Sequence, residues 1–270
     1  MTDPALEALV AEVQSSPRYR AIHPGLVRRI AAQELAKGRK AKEAVKAVRN
    51  KLHQIGGAYR ENPIDYAKLT GELAGLPARL DDPALQAFCR RAMQQHASTR
   101  ERLPILEQIF SQALAPLAPV ASLLDLACGL NPLALPWMPL AADAPYYACD
   151  IYSDQVAFLN RFLAHTGRPG RAELCDLTAE LPAQPVQVAL LLKTIPCLEQ
   201  VDKAIGPRLL EGIPAEHLLV SFPVASLGGR GKGMLENYEA HFMQLTAGRG
   251  WRIRRFDFSS ELAFLVSRGG

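Results

Sequence analysis

From about residue 120 onward, short apolar segments alternate with stretches of helical spacing, and this alternation limits the chain to few folds. Strands separated by helices form parallel sheets whose two faces are covered by those helices. We therefore predict an α/β fold built around a doubly wound parallel sheet. Its first five strands are predicted at Ser122–Ala127, Tyr146–Ile151, Ala172–Cys175, Val186–Lys193 and His217–Phe222.

The last two apolar segments, Trp251–Phe258 and Glu261–Ser267, are separated only by Ser259 and Ser260. A connection this short cannot hold a helical crossover, so the two strands are predicted to pair as an antiparallel hairpin. A parallel sheet that ends in an antiparallel hairpin is typical of class I methyltransferases, which use S-adenosyl-L-methionine. The sequence therefore predicts a Rossmann-like methyltransferase domain rather than an ordinary dinucleotide-binding domain.

The first part of the chain shows helical spacing and no strand pattern. Proline interrupts it repeatedly, and at Asn62-Pro63 and Asp82-Pro83 the proline follows a residue that caps helices well. Such pairs mark the starts of helices. We predict an all-helical domain over residues 1–98 and the methyltransferase domain over residues 99–270.

Basic residues are concentrated in the helical part. Residues 18–60 contain twelve Lys and Arg against only two acidic residues, Glu34 and Glu43. Such a block attracts a polyanion, because each phosphate that is neutralised releases counterions. The alternative is a solvated basic helix face.

Spacing within residues 40–57 favours the first of these interpretations. An apolar stripe of helical period is predicted to pack inward, while Lys42, Lys46 and Arg49 lie on another face. These three cations are therefore the candidate RNA-binding residues of the helical domain. The stripe consists of Val45, Val48, Leu52 and Ile55.

Composition excludes several classes of protein. Hydrophobic residues make up 49% of the chain, enough to bury a core, and no apolar run approaches the roughly 18–20 residues of a membrane span. The N-terminus lacks the basic and apolar regions of a signal peptide. The five cysteines form no CxxC pair, so neither a disulfide framework nor a metal site is expected. We expect a cytoplasmic protein that binds no membrane.

The cofactor site is predicted where the first strands end, since ligands bind at the carboxyl ends of strands in this fold. Gly129, in the loop LACGLNP, removes a side chain where a ligand approaches the backbone, and the absence of GxGxxG weakens an NAD interpretation. Asp150 ends the second strand, the usual place for a carboxylate that accepts ribose hydroxyls. Asp176 ends the third, where an acidic residue followed by an apolar one commonly faces an adenine. The alternative is that both only cap helices.

Two segments near the later strands are candidates for contact with the target. The fifth strand leads into SFPVASLGGRGKGM, whose glycines, Arg230 and Lys232 suit a phosphate, although a flexible surface loop is the alternative. The fourth leads into LLLKTIPCLEQ, where the [DN]PP[YF] motif of amino-group methyltransferases is missing. Cys197 follows a proline there, as does the nucleophile of carbon-5 pyrimidine methyltransferases. A lone cysteine is more often a small hydrophobic residue.

Taken together, several segments make the chain resemble the aminoglycoside-resistance methyltransferases that modify N7 of guanine 1405 in 16S ribosomal RNA. The resemblance spans nearly the whole chain, and its most specific motifs occur in the order typical of that family. The matching segments are SPRYR, LHQIGGAY, HASTRERLP, DLACGLNPLA, LLLKTIPCLE, SFPVASLGGRGKGM and ELAFLV. One departure is Val224-Ala225-Ser226, where a Thr and a basic residue are typical.

The resemblance implies a set of roles for individual residues. Arg102 would pair with the carboxylate of S-adenosyl-L-methionine, Asp150 would hold its ribose, and Asp176 with Leu177 its adenine. Lys193, Arg230 and Lys232 would hold phosphates or the target guanine. The remaining residues expected at the cofactor are Tyr59, His96, Ala97, Ser98, Ala127, Gly129 and Leu192.

The same resemblance implies a reaction and a partner. Guanine N7 carries a lone pair and no proton, so it can attack the methyl group without a general base, and the enzyme supplies proximity and alignment. The target lies in folded RNA of the assembled small ribosomal subunit, so the base is expected to turn outward. A monomer is expected. The alternatives are a carbon-5 pyrimidine methyltransferase that uses Cys197 and a non-catalytic ribosome-binding protein.

Overall fold

The computed structural model describes residues 3–60, 62–224 and 233–268, and a single mixed sheet lies at its centre. Within these residues the strand order is β3-β2-β1-β4-β5-β7-β6. The first five strands run parallel, while β7 pairs antiparallel with both β5 and β6. This confirms the predicted parallel sheet with a terminal antiparallel hairpin. The strands are β1 Leu123–Leu126, β2 Tyr146–Asp150, β3 Gly170–Leu174, β4 Val186–Leu192, β5 Ala215–Pro223, β6 Arg252–Asp257 and β7 Glu261–Ser267.

Before β1, the described residues form helices joined by turns and loops and no named strand, as predicted. Asp3 and Asp82 cap the helices that begin at Pro4 and Pro83, each accepting a hydrogen bond from a backbone N–H of the first turn. The helices are α1 Pro4–Gln14, α2 Pro24–Leu35, α3 Ala41–Leu52, α4 Tyr66–Ala74, α5 Pro83–Met93, α6 Ala97–Arg102, α7 Leu106–Ala113, α8 Ser153–His165, α9 Thr194–Leu198, α10 Ile205–Gly212 and α11 Met234–Thr246. A π-helical turn, His53–Gly57, follows α3 directly.

Helices from the N-terminal part cover both faces of the sheet. Residues of α1, α2 and α3 share one buried core with Leu124 of β1 and with α9, α10 and α11. Residues of α4 and α5 share the other core with Leu123 of β1 and with α7 and α8. The alternation of Leu123 and Leu124 between faces is the strand period of two. The division of the chain at residue 98 stays a prediction.

The carboxyl ends of the parallel strands carry two non-glycine residues in the left-handed backbone region. Ala127 follows β1 with φ +50°, and Lys193 follows β4 with φ +59°. Side chains other than glycine adopt this conformation rarely, and it is concentrated at functional sites. The backbone therefore turns sharply after β1 and β4, at the edge of the sheet where the sequence predicts the cofactor. No helix in the described ranges is long and apolar enough to cross a membrane.

Candidate functional site

A deep cavity opens at the carboxyl edge of the sheet. Its wall combines strand ends with the π-helical turn and α6. Ala97 and Gly129 were predicted at the cofactor but are not among the residues that line the cavity. The Ala97 N–H donates to the Tyr59 carbonyl oxygen at 2.9 Å. The other predicted residues that line the cavity are Tyr59, His96, Ser98, Arg102, Ala127, Asp150, Asp176, Leu177, Leu192 and Lys193.

Asp150 is buried at the end of β2, and its carboxylate faces the loop after β1. Its Oδ2 accepts the Gly129 N–H at 2.8 Å and its Oδ1 accepts the Ile151 N–H at 2.7 Å. Burial raises the pKa of the Asp150 carboxyl, and these two N–H groups oppose that rise. Since each carboxylate oxygen has two acceptor positions, Asp150 keeps capacity to accept from a ligand hydroxyl. That capacity matches a ribose diol.

Gly129 and His96 form a close contact below the cavity. Gly129 has φ +54°, and a Cβ at this position would lie 2.7 Å from Cε1 of His96, so no larger residue fits. The His96 ring stacks on Tyr59, with centroids 6.0 Å apart and planes at 10°. Burial lowers the pKa of His96 to about 3, so its imidazole is neutral. Among the described residues, no hydrogen-bond partner reaches its buried Nδ1.

Asp176 is held by three donors at the far end of the cavity. The Thr178 N–H and hydroxyl both donate to its Oδ1, at 3.0 and 2.6 Å. Arg29 of α2 forms an ion pair with its Oδ2 and also donates to the Thr178 hydroxyl. Arg29 was not among the predicted site residues, because nothing in the local sequence relates α2 to β3.

Arg102 is fully buried and pairs within the protein. Its Nη1 donates to Oδ1 of Asn131 at 3.0 Å, and its Nε lies 2.8 Å from Oε1 of Glu261. The family resemblance implied a cofactor carboxylate as its partner; the five N–H groups of a guanidinium leave room for one as well. Glu261 was missed. The available signal was an acidic residue opening the otherwise apolar strand ELAFLV.

Lys193 is buried beside two carboxylates rather than exposed on the surface. Its Nζ lies 2.6 Å from Oε2 of Glu101 and 3.5 Å from Oε1 of Glu261. Lys193, Tyr59 and Cys197 also line a second cavity, next to the first. Further walls of this cavity are formed by Gln54, Glu101 and Tyr238. The methyl donor and an acceptor base could therefore occupy adjoining spaces separated by these shared side chains.

Cys197 is a partly buried thiol and shows no sign of an activated nucleophile. Its Sγ donates to the Ile55 carbonyl oxygen at 2.7 Å. Burial raises its pKa to about 12, so it stays protonated at neutral pH. The structure therefore argues against the carbon-5 alternative.

The predicted RNA-binding residues of α3 differ in their surroundings. Lys42 and Lys46 are exposed, whereas Arg49 donates to the Glu12 carbonyl oxygen at 2.8 Å and its Nη2 lies 3.7 Å from Oε1 of the same residue. Arg49 thus contacts α1, although its spacing predicted a free face. Part of the basic block is neutralised internally, because buried Glu34 pairs with three cations, Lys37, Arg39 and Lys51. Arg230 and Lys232 lie outside the described residues.

Comparison with known proteins gives consistent matches over the whole chain. The sequence model of the FmrO ribosomal RNA methyltransferases matches residues 15–265. A 16S rRNA (guanine(1405)-N(7))-methyltransferase of Micromonospora echinospora is 37% identical, covering 99% of this chain and 100% of that protein. A 16S rRNA (guanine(1405)-N(7))-methyltransferase of Frankia casuarinae is 39% identical, covering 98% of this chain and 94% of that protein.

Solved structures show the same likeness. The 16S rRNA methyltransferase RmtF, crystallised with S-adenosyl-L-homocysteine, is 36% identical and superposes with a TM-score of 0.85, covering 100% of both chains. The 16S rRNA methylase RmtB is 27% identical with a TM-score of 0.81, covering 98% of both.

Proposed function

We propose, since this chain belongs to the FmrO family of ribosomal RNA methyltransferases, that it methylates N7 of guanine 1405 in 16S rRNA of the small ribosomal subunit. The chain is an S-adenosyl-L-methionine-dependent methyltransferase by family and fold. The observation that carries the choice of base is the end-to-end match with relatives that are named for this modification.

The cavity fits the cofactor at several separate points. Asp150 has free acceptor positions for ribose hydroxyls, and Asp176 with Leu177 would face the adenine. Arg102 would hold the carboxylate, and the unpartnered Nδ1 of His96 offers a buried polar atom for a ligand group. When bound, the cofactor supplies an electrophilic methyl group on its sulfonium.

The protein's own contribution is alignment rather than proton transfer. Guanine N7 presents a lone pair without a proton, so no group in the site has to remove one. Lys193, fixed by Glu101 and Glu261, stands between the two cavities and would orient the target base. Arg230 and Lys232 would contact phosphates from the glycine-rich segment. Fixing two reactants in line accounts for much of the rate in such transfers.

Several properties follow from this function. Lys42 and Lys46 would dock on ribosomal RNA, since both are exposed on α3. The enzyme would act as a cytoplasmic monomer, without a metal ion, on assembled subunits. The modification is expected to confer aminoglycoside resistance, as the resemblance of the motifs implies. A non-catalytic ribosome-binding protein is the remaining alternative, and a cavity lined by most of the residues expected at the cofactor argues against it.

The decisive experiment is to incubate purified small subunits with labelled S-adenosyl-L-methionine and map the product. Borohydride and aniline cleave RNA at 7-methylguanosine, and reverse transcription then stops at the cut. We expect label in 16S rRNA and a stop at guanine 1405. The Asp150→Ala variant, assayed at low cofactor concentration, serves as the matched control with weakened cofactor binding. Label without cleavage would point to another atom, and no label would favour the non-catalytic alternative.

A further inference from the structure

An ion pair joins the N-terminal helices to the cofactor cavity. Arg29 of α2 and Asp176 after β3 are 147 residues apart in sequence, yet the guanidinium contacts the carboxylate directly. The Arg29 side chain is 30% exposed, while that of Asp176 is 5% exposed. The contact is therefore mostly shielded from water, which makes it stronger than an ordinary surface ion pair.

The hydrogen-bond capacity of Asp176 shows what this contact leaves open. An ionised carboxylate accepts about four hydrogen bonds. Oδ1 is filled by the N–H and the hydroxyl of Thr178, and Oδ2 has accepted one bond from Arg29. One acceptor position remains, on the oxygen that Arg29 holds. Asp176 lines the cavity, so that position is available to a single donor hydrogen from a ligand.

The surrounding segment is fixed from two sides. Leu26, one turn before Arg29 on α2, lines the same cavity as Leu177 and Thr178. From the other side, Nη2 of Arg208 in α10 donates to the Leu177 carbonyl oxygen at 2.6 Å. Within the part of the chain that the structure describes, Arg29 is the one residue of another element that contacts the Asp176 side chain, because the Thr178 bonds are local. Arg29 therefore controls how the carboxylate is turned.

We infer that Arg29 is a positioning residue for the cofactor, one that turns the Asp176 carboxylate so that its open acceptor position meets the 6-amino group of adenine. This inference rests on the proposed function, which places the adenine at Asp176. It assigns one cation of the basic block to the cofactor, whereas the whole block was expected to serve RNA.

A specificity follows from the same geometry. A 6-oxo purine presents an acceptor oxygen where adenine presents a donor, so a fixed carboxylate rejects it by leaving two acceptors face to face. If the carboxylate can rotate, that penalty shrinks. Arg29 is thus expected to raise the preference for the 6-amino purine as well as the affinity for it.

The adjacent residue provides a matched control. Arg28 lies on the same helix but pairs with Glu7 of α1, and both partners are more than 40% exposed. Its contact is remote from the cavity lining. Arg28→Gln removes the same charge as Arg29→Gln from the same helix, so a general effect of charge on α2 appears equally in both.

The test measures calorimetric affinity for S-adenosyl-L-homocysteine and for its 6-oxo analogue S-inosyl-L-homocysteine. Arg29→Gln should weaken binding of the adenosyl ligand by roughly tenfold, the effect of one charge-assisted hydrogen bond. The preference for the adenosyl over the inosyl ligand should fall with it. Arg28→Gln should stay within about twofold of wild type. Arg29→Lys should recover part of the loss, since it restores charge without the planar fork.

A double-mutant cycle decides whether Arg29 acts through Asp176. In an Asp176→Asn background, Arg29→Gln should change affinity by less than about twofold. On small subunits, the KM for S-adenosyl-L-methionine should rise while kcat is kept. Thermal unfolding verifies that each variant is folded. If Arg29→Gln does not fold, the same measurements are made with Arg29→Lys.

Three results would overturn the inference: equal affinities for Arg29→Gln and Arg28→Gln, a full tenfold loss in the Asp176→Asn background, or an unchanged amino-to-oxo preference. Failure of the proposed function looks different. In that case wild-type protein itself fails to bind S-adenosyl-L-homocysteine or to methylate subunits, whatever residue 29 is.

Discussion

Arg102 and Glu261 form a buried ion pair between residues 159 positions apart, with Nε of the arginine 2.8 Å from Oε1 of the glutamate. Glu261 also accepts the Ser221 hydroxyl at 2.5 Å and lies 3.5 Å from Nζ of Lys193. With Glu101, these side chains form a cluster of two cations and two anions between the cavities. The cluster is electrically balanced, so loss of one member leaves a buried charge uncompensated.

The first prediction concerns this balance. Glu261→Gln keeps the shape of the side chain but removes its charge, so Arg102 and Lys193 are left with a single carboxylate. Breaking a buried pair this way is expected to lower the free energy of unfolding by roughly 3 kcal/mol. Urea denaturation measures it. Glu239→Gln, which removes a partly exposed partner of Arg255, should change the free energy by under about 1 kcal/mol, and equal effects would contradict the prediction.

The second prediction concerns Asp150. Asp150→Ala removes the acceptors expected for the ribose and also frees the Gly129 N–H, which Asp150 holds at 2.8 Å. Losing a charge-assisted hydrogen bond corresponds to roughly a ten- to hundredfold change in affinity. Titration calorimetry with S-adenosyl-L-methionine checks this. An unchanged affinity would remove Asp150 from the site.

The third prediction concerns Cys197. Cys197→Ser should retain most methyl transfer, because attack by N7 forms no covalent enzyme–base adduct and the thiol pKa is raised to about 12 by burial. The serine hydroxyl can still donate to the Ile55 carbonyl oxygen. Initial rates on small subunits provide the measurement. A loss beyond about a hundredfold in a folded variant would instead support carbon-5 chemistry.

The fourth prediction concerns RNA docking. Lys42→Glu with Lys46→Glu should weaken binding to small subunits and reduce its salt dependence, because fewer counterions are released. Affinity for S-adenosyl-L-methionine should not change. Arg49 is left intact, since it contacts Glu12 of α1. The matched control reverses Arg79 and Arg171, which are exposed elsewhere; identical salt slopes for the two double variants would show that α3 does not dock.

The fifth prediction concerns pH. Asp125 lies in β1 and lines the cavity. Burial raises its pKa from 3.8 to about 7, against hydrogen bonds from Asn131 and Tyr146. The folded protein therefore holds this proton more tightly than the unfolded chain. The stability contributed by the protonated Asp125 carboxyl is complete below the pKa that this group has in the unfolded chain. It is lost as the pH rises through the pKa of the group in the folded protein. Between about pH 4 and pH 7, the free energy of unfolding of the wild type should therefore fall by a few kcal/mol relative to that of Asp125→Asn. Parallel stability curves for the two proteins, without cofactor, would contradict this.

Sequence patterns predicted the sheet because strand period and connection length are local properties. They also predicted that Asp150 and the loop of Gly129 would meet, since the carboxyl ends of parallel strands share one edge. The third strand begins at Gly170, earlier than predicted, because its first residues are not apolar. Local patterns define an element best where it is apolar.

Contacts between distant segments could not be predicted in this way. Two ion pairs, Arg29 with Asp176 and Arg102 with Glu261, depend on how the helices pack against the sheet. The spacing of residues within one segment does not encode that packing. The same limit applies to Arg49, whose helical face was predicted correctly as polar but which reaches Glu12 on a neighbouring helix. A count of charges also could not show that Glu34 is buried and pairs with three cations of the basic block.

The N-terminal helices bury apolar surface on both faces of the sheet, with α1 to α3 on one side and α4 with α5 on the other. A segment packed in this way cannot be exchanged for another one without changing both hydrophobic cores. Removing it would uncover apolar side chains of both cores at once, and we expect the remaining chain to aggregate. Grafting a different RNA-recognition module onto this catalytic core would require redesigning both halves of the hydrophobic interior.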